Sequence, residues 1–374
     1  MAGIYIHIPF CKQACHYCNF HFSTSLKQKD ELIAALIKEI GITAPFITAG
    51  PIETIYFGGG TPSLLSPEDI QNILRSIKEK FTIDPLAEIT LEANPDDISS
   101  SKLNEWAGTG INRLSIGIQS FLNEELLWMN RAHNSLQALD CIQLSRDAGF
   151  ENFSVDLIYG SPLLSNEDLK RNVDILIEKK IPHISCYALT VEPKTALDKM
   201  IAQKKKAAVD PDKQAEQFLL LMDWLKEAGY EHYEISNFAK PGFRSKHNSS
   251  YWLGKPYYGF GPSAHSFNGN SRRWNIANNA LYIQSLQKNS IPFEQEMLTS
   301  NQQLNEYIMI SLRTMEGLDL AVVKERFGSA LSEKLKTKSK KYTGGGKLVL
   351  QNDHLILTRE GKLLADGIAA DLFF

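Results

Sequence analysis

Short apolar runs rich in β-branched residues alternate with amphipathic stretches through roughly the first 190 residues of the chain. The runs Ile4–Ile8, Thr54–Phe57, Glu88–Glu92, Arg113–Ile118, Phe153–Leu157 and Ile184–Tyr187 predict strands. Between them, Lys29–Ile40, Pro67–Lys80, Ser101–Thr109, Ser135–Ala148 and Glu167–Lys179 predict helices, and Pro211–Ala228 predicts a sixth after the last strand. The punctuation agrees: Ser66-Pro67-Glu68-Asp69 opens a helix with a capping hydroxyl, a proline and early carboxylates, and Gly149 closes another. Six βα units predict a parallel sheet with right-handed crossovers. Six are too few for an eight-unit barrel, so the expected fold is α/β, a partial (β/α)6 barrel.

In barrels of parallel strands the chemistry gathers at the C-terminal strand ends. Taken strand by strand, these ends carry Cys11 to Cys18, Gly58-Gly59-Gly60-Thr61-Pro62, Glu92-Ala93-Asn94-Pro95, Gln119-Ser120, Asp156 and Tyr187. Nearly every polar or glycine-rich feature of this half therefore falls on one rim.

After about residue 205 the alternation stops, and Gln203-Lys204-Lys205-Lys206 reads as a solvated linker or helix face. Residues 1–205 are expected to form the core, and 206–300 a loop-rich lid that completes it. The lid carries His247-Asn248-Ser249-Ser250-Tyr251-Trp252 and Tyr257-Tyr258-Gly259-Phe260-Gly261. Residues 301–374 differ again: helical Asn305–Glu316 and Asp319–Phe327, then β-like Leu348–Leu350 and Leu355–Leu357, predict a small winged-helix-like domain. The lysines at 334, 336, 338, 340 and 341 have no reading residues interleaved and read as a solvated face.

Bulk composition narrows the classes. At 43% hydrophobic and 22% charged, the 374 residues are ordinary for a globular protein, and a net charge of −3 gives no electrostatic footprint for nucleic acid. No apolar run approaches membrane-spanning length, and Met1-Ala2-Gly3-Ile4-Tyr5 enters a strand at once, so a cytoplasmic, reducing location is expected. Cys141 and Cys186 lie in apolar stretches and read as core residues.

The remaining three cysteines, Cys11-x3-Cys15-x2-Cys18, are spaced to wrap one face of a small inorganic centre. A cubane [4Fe–4S] cluster normally takes four thiolates; three leave one iron open. Zinc, with His16 or His21 as a further ligand, is the competing reading, and a disulfide set would need an oxidising compartment. The glycine triplet lets backbone approach a ligand without Cβ interference, although a tight turn alone would also use it. Glu92 and Asp156 end apolar strands, where a carboxylate is costly unless paired or ligand-bound. Gln119 offers both donor and acceptor, and Arg131 could meet a carboxylate bidentately or be a plain surface charge.

Together, Tyr5-x-His-x-Pro-Phe-Cys11, Gly-Gly-Gly-Thr61-Pro, Glu92-x-Asn-Pro, Gln119-Ser, Asn130-Arg131, Asp156-Leu-Ile-Tyr-Gly160 and the tail resemble one family across essentially the whole chain. It is that of the radical SAM oxygen-independent coproporphyrinogen III oxidases and their relatives, the HemW haem chaperones. The resemblance implies a partial (β/α)6 radical SAM barrel, with Cys11, Cys15 and Cys18 holding a [4Fe–4S] cluster. It implies that Tyr5, Tyr17, Gly59, Gly60, Thr61, Glu92, Gln119, Arg131 and Asp156 contact S-adenosylmethionine (SAM). The oxidases carry a fourth cysteine two residues past the third and an N-terminal extension; here Phe20 holds that place and four residues precede Tyr5. His247-Asn248-x-x-Tyr251-Trp252 matches a motif linked in the chaperone branch to haem, which makes His247 the implied haem ligand. The implied partners are haem and acceptor haem apoproteins, typically membrane-bound respiratory ones reached by peripheral contact, with a homodimer among the forms the family takes. The alternative is a true oxidase that uses SAM to decarboxylate propionates.

Overall fold

The computed structural model describes residues 2–47 and 50–374. Six strands, β1 (Ala2–Ile8), β2 (Ile52–Gly59), β3 (Ile83–Ala93), β4 (Arg113–Gln119), β5 (Phe153–Tyr159) and β6 (His183–Ala188), lie side by side in chain order and all parallel. The crossovers carry α1 (Lys29–Thr43), α2 (Pro67–Lys80), α3 (Ser100–Thr109), α4 (Asn123–Trp128), α5 (Ser135–Asp147) and α6 (Asn166–Glu178). Consecutive strands joined by crossovers of one hand leave the helices on one side of the sheet. Alternate strand residues prove the sidedness. Ile4, Ile6, Ile55, Phe57, Leu91, Leu114, Ile116, Val155 and Ile184 share one apolar core with Leu36, Ile73, Trp106, Ile142 and Val173 of the helices. The residues between them, Tyr5, His7, Tyr56, Glu92, Ser115, Gln119, Asp156 and Tyr187, face the other way.

Among the described residues the hydrogen-bonded order continues past both edge strands of this core and does not join β1 to β6. The outer edge of β1 pairs with β9 (Tyr257–Phe260), and that of β6 with β8 (Asn237–Ala239). The stretch 206–300, expected to be a loop-rich lid that completes the core, is therefore not loop-rich: it continues the core sheet at both edges. Two sheet extensions are built from it: β7 (Glu231–Glu234) beyond β8, and β10 (His265–Phe267), β11 (Ser271–Asn275) and β12 (Phe293–Met297) beyond β9, giving twelve strands. α7 (Ala196–Ala202) follows β6, and three more helices belong to the stretch 206–300: α8 (Pro211–Glu227), α9 (Lys246–Trp252) and α10 (Asn279–Gln287). The strands of the extensions are three to five residues long, too short for a pattern of alternation to stand out.

The tail has its own apolar core, with Leu304, Ile308, Leu318, Val323, Leu335, Leu355 and Ile368 buried together. Its order is α11 (Ser300–Leu312), β13 (Leu318–Asp319), α12 (Leu320–Phe327), α13 (Ser329–Gly344), then the hairpin of β14 (Leu348–Gln351) and β15 (His354–Leu357), the arrangement of a winged helix. The lysine run lies on α13, which the pattern did not reveal because the helix has only three buried positions. Lys341 pairs with Asp371, and Lys338 donates to the carbonyl of Phe373, so part of this charge is held by the C-terminus.

Local signals act as predicted. Ser66 and Asp69 form a reciprocal capping box, and Gly149 takes φ +85° as its N–H donates to the carbonyl of Arg146 at 2.8 Å.

Candidate functional site

The loop after β1 is tied at its neck, where Cys11 N–H donates to Ser23 O at 3.0 Å and Ser23 N–H to Pro9 O at 2.8 Å. A second clamp comes from the segment after α4. Asn130, held at φ +60°, donates through Nδ2 to Ala14 O at 2.7 Å and accepts from Gln13 Nε2 at 2.8 Å. The N–H of His16 donates to Met129 O at 3.1 Å. Held this way, Cys11, Cys15 and Cys18 line one wall of a cavity of about 460 Å³ at the C-terminal ends of the strands. Burial pushes the Cys11 thiol up, and that of Cys18 up to about 11. A bound metal centre would hold Cys11 and Cys18 as thiolates despite that burial.

The opposite walls come from β2 to β6. A Cβ on Gly60 would sit 2.6 Å from Phe10 O, so only glycine lets this strand end run against the cysteine loop. Gly59, at φ +109°, points its N–H at Glu92 Oε2 across 3.2 Å, and Tyr56 donates its hydroxyl to Glu92 Oε1 at 2.8 Å. Burial dominates at Glu92 and pushes its carboxyl up to about 7, with Asp156 adding to the effect. Burial likewise raises Asp156 to about 6, and its Oδ1 is enclosed with no hydrogen-bond partner. Gln119, the last residue of β4, takes φ +69°, a left-handed backbone uncommon outside glycine.

Arg131 is the hub of the cavity. Its Nη2 donates to Asn94 Oδ1 and to Gly117 O, each at 2.7 Å, while Nη1 lies 3.3 Å from Cys15 Sγ. Its Nε is buried and unpaired. A surface charge would look nothing like this.

The structure thus brings Cys11, Cys15, Cys18, Tyr17, Gly59, Gly60, Thr61, Glu92, Gln119, Arg131 and Asp156 to one cavity. Two candidates are elsewhere. Tyr5 points into the barrel below Gly58, with its hydroxyl 3.2 Å from His7 Nδ1. His247 sits on α9 against the N-terminal ends of β1 and β2, where it is 2% exposed. Its Nδ1 is 2.8 Å from Thr54 Oγ1 and its Nε2 is 2.9 Å from Tyr251 Oη. Both ring nitrogens are taken. Sequence reasoning gave Asn94 no role of its own, although it bridges Arg131 and Thr61, and missed Tyr56 altogether; the signal was the inward parity Tyr56-x-Gly58 and Glu92-x-Asn94.

The cavity suits the cofactors of one class. Three thiols share a wall, glycine backbone lies opposite, and an unpartnered carboxylate oxygen and guanidinium nitrogen remain. These are the radical SAM features, and the family model of the radical SAM superfamily matches residues 5–176; that of the HemN C-terminal domain matches residues 298–364. Membership implies a [4Fe–4S] cluster and SAM. In overall fold the chain is similar to coproporphyrinogen III oxidase (HemN) from Escherichia coli, with TM-score 0.86 and 22% identity over 100% of this chain and 90% of that one. Its sequence divides it from that neighbour. Heme chaperone HemW of Mycobacterium tuberculosis (strain H37Rv) is 34% identical over 99% of this chain and 94% of its own. That of Bacillus subtilis (strain 168) is 33% identical over 98% of both, and that of Escherichia coli (strain K12) 36% identical over 70% and 69%. The chain belongs to the HemW family.

Proposed function

We propose that this protein is a haem chaperone that binds haem and passes it to acceptor apoproteins, on a scaffold that carries a [4Fe–4S] cluster and SAM. The observation that carries the reading is Phe20. It stands where the oxidases have their fourth cysteine, at the rim of the cysteine cavity and 66% exposed, alongside relatives named heme chaperone HemW over nearly the whole chain. Cys11, Cys15 and Cys18 are assigned to the cluster. When bound, the cluster and SAM supply one-electron chemistry; the protein's own part is positioning and exclusion of water. Gly59, Gly60, Thr61, Glu92, Gln119, Arg131, Asp156 and Tyr17 are assigned to SAM, Arg131 as a guanidinium held for a carboxylate and Asp156 as an acceptor for a hydroxyl. Tyr5 acts on the pocket from below.

His247 is assigned as haem ligand on the motif. Because both its nitrogens are bonded, ligation requires α9 to leave its seat. Residues 1–205 are assigned as the radical SAM core, 206–300 as its completion and 301–374 as the C-terminal domain. Acceptors are assigned as respiratory haem proteins met at a membrane surface, with a homodimer as the working oligomer; no helix among the described residues is long and apolar enough to cross a membrane.

The test is an anaerobic incubation of reconstituted protein with reductant, SAM and coproporphyrinogen III, beside a haem titration of the unsubstituted protein and His247→Ala. Haem binding that weakens in the variant, without protoporphyrinogen, is the expected result. Turnover proportional to substrate would make the protein an oxidase.

A further inference from the structure

The motif around His247 has a second address. The ring of His247 stacks on that of Tyr56 with centroids 4.8 Å apart and planes 21° from parallel. Tyr251 meets His247 edge-on at 5.0 Å. The start of α9 is fixed independently, because the N–H groups of Lys246 and His247 donate to the two oxygens of buried Glu88 at 3.1 and 3.0 Å. Glu88 in turn faces the buried Arg113 guanidinium. Thr54 and Tyr56 are neighbours on the inward face of β2, and Gly58, next on that face, is so crowded that a Cβ would lie 2.9 Å from Tyr56, 3.0 Å from Tyr5 and 3.1 Å from Glu92. A chain of contacts therefore runs the depth of the barrel: α9 fixes His247, His247 fixes the Tyr56 ring, the Tyr56 hydroxyl fixes Glu92, and Glu92 holds the Gly59 N–H.

We infer that His247 and Tyr56 are positioning residues for the SAM pocket, acting through Glu92 from the far end of the barrel. Neither residue lines the cavity. Their effect is to leave Glu92 one orientation, with Oε1 committed to Tyr56 and Oε2 to the glycine rim. This inference rests on reading the cavity as the SAM site.

The experiment measures SAM affinity by equilibrium dialysis on the reconstituted holoprotein, together with the change that SAM makes in the electron paramagnetic resonance signal of the reduced cluster. The variants are Tyr56→Phe, Glu92→Gln, His247→Ala and Tyr56→Phe/Glu92→Gln. Tyr56→Phe keeps the ring and its stack and removes only the hydroxyl, so the fold and the iron content are expected to be retained, which circular dichroism and iron analysis check. The expected loss is about tenfold in SAM affinity for Tyr56→Phe, as for a hydrogen bond to a charged group. His247→Ala should lose a few-fold, and the double variant no more than Glu92→Gln alone, since one path is cut twice. Unchanged SAM affinity in Tyr56→Phe, or losses that add in the double variant, would overturn the inference. Should His247→Ala fail to fold, Tyr56→Phe and the double variant decide the matter. Unsubstituted holoprotein that binds no SAM would sink the reading of the cavity itself, which is a different result from binding that ignores Tyr56.

Discussion

The carboxylates and arginine at one end of the barrel and the histidine at the other are held in different ways. At the C-terminal rim, Asp156 Oδ1 and Arg131 Nε are enclosed without partners, and Glu92 and Asp156 are held with raised carboxyl pKa values. At the seat of α9, His247 has a hydroxyl on each ring nitrogen and an aromatic ring stacked against its face; burial, then the Arg113 charge, lowers its pKa to about 3, so it is neutral. An unpaired buried polar atom costs about 1–3 kcal/mol. At the rim that cost falls on groups that face an open cavity; beside α9 it falls on Arg113, whose Nε and Nη2 are also unpartnered and lie against Glu88, and not on His247. By this measure the rim is built to receive something, and His247 is built into a closed seat. The histidine that the motif marks for haem is, in this conformation, part of the closure.

The comparison can be broken, and the hardest blow falls on the rim. Any one of Cys11→Ala, Cys15→Ala or Cys18→Ala should abolish the cluster, read as loss of bound iron and sulfide and of the broad visible absorption; a full complement of iron in these variants would refute the assignment. Gly60→Ala comes next. Its methyl group meets backbone, not a movable side chain, so the strand end or the cysteine loop must shift, at a cost of about 1–3 kcal/mol in thermal unfolding and with weaker SAM binding. A variant as stable as the parent would show that the rim is looser than its contacts imply.

The pH profile sharpens the contrast. Glu92 titrates near 7 in the fold, above its ordinary range, so the stability it contributes is full below that ordinary range and is lost as pH rises through 7. A ligand that donates to the carboxylate has the opposite sign. SAM affinity should rise as pH climbs through 7, by about tenfold across two units. In Tyr56→Phe the profile should move to higher pH, because the tyrosine hydrogen bond holds this pKa down. A flat profile in the unsubstituted protein would remove Glu92 from the ligand's reach.

Smaller effects probe the seat. Thr54→Val leaves one nitrogen of buried His247 unpaired and should cost about 1–3 kcal/mol in unfolding free energy. If haem draws His247 away, SAM and haem must weaken each other's binding by the same factor. Titrations of each in the presence of the other measure it, and independent affinities would show that haem is held without moving His247.

Much of this was legible in the residues. The six core strands and their helices follow the period of apolar positions closely, with Pro67–Lys80 bounded as its capping signals require. The strand ends then placed cysteines, glycines and carboxylates on one rim without knowledge of any contact. Short strands gave no such signal, so the extensions of the sheet through β7 to β12 read as loops. Arg131, taken alone, read better as a surface charge, because nothing local records that Asn94, Gly117 and Cys15 converge on it.

His247 marks the limit most clearly. A histidine beside a tyrosine and a tryptophan carries the same chemistry whether its nitrogens face solvent or protein, and the chain around it is identical in both cases. The sequence by itself determined the parallel core, the rim and the three-thiol centre, since these depend on periodicity and spacing along one strand-loop-helix unit at a time. Only the tertiary structure decided where His247 lies and what it supports. Thr54 and Tyr56 are separated from it by nearly 200 residues, and the burial that removes a nitrogen from reach is a property of the packed barrel alone.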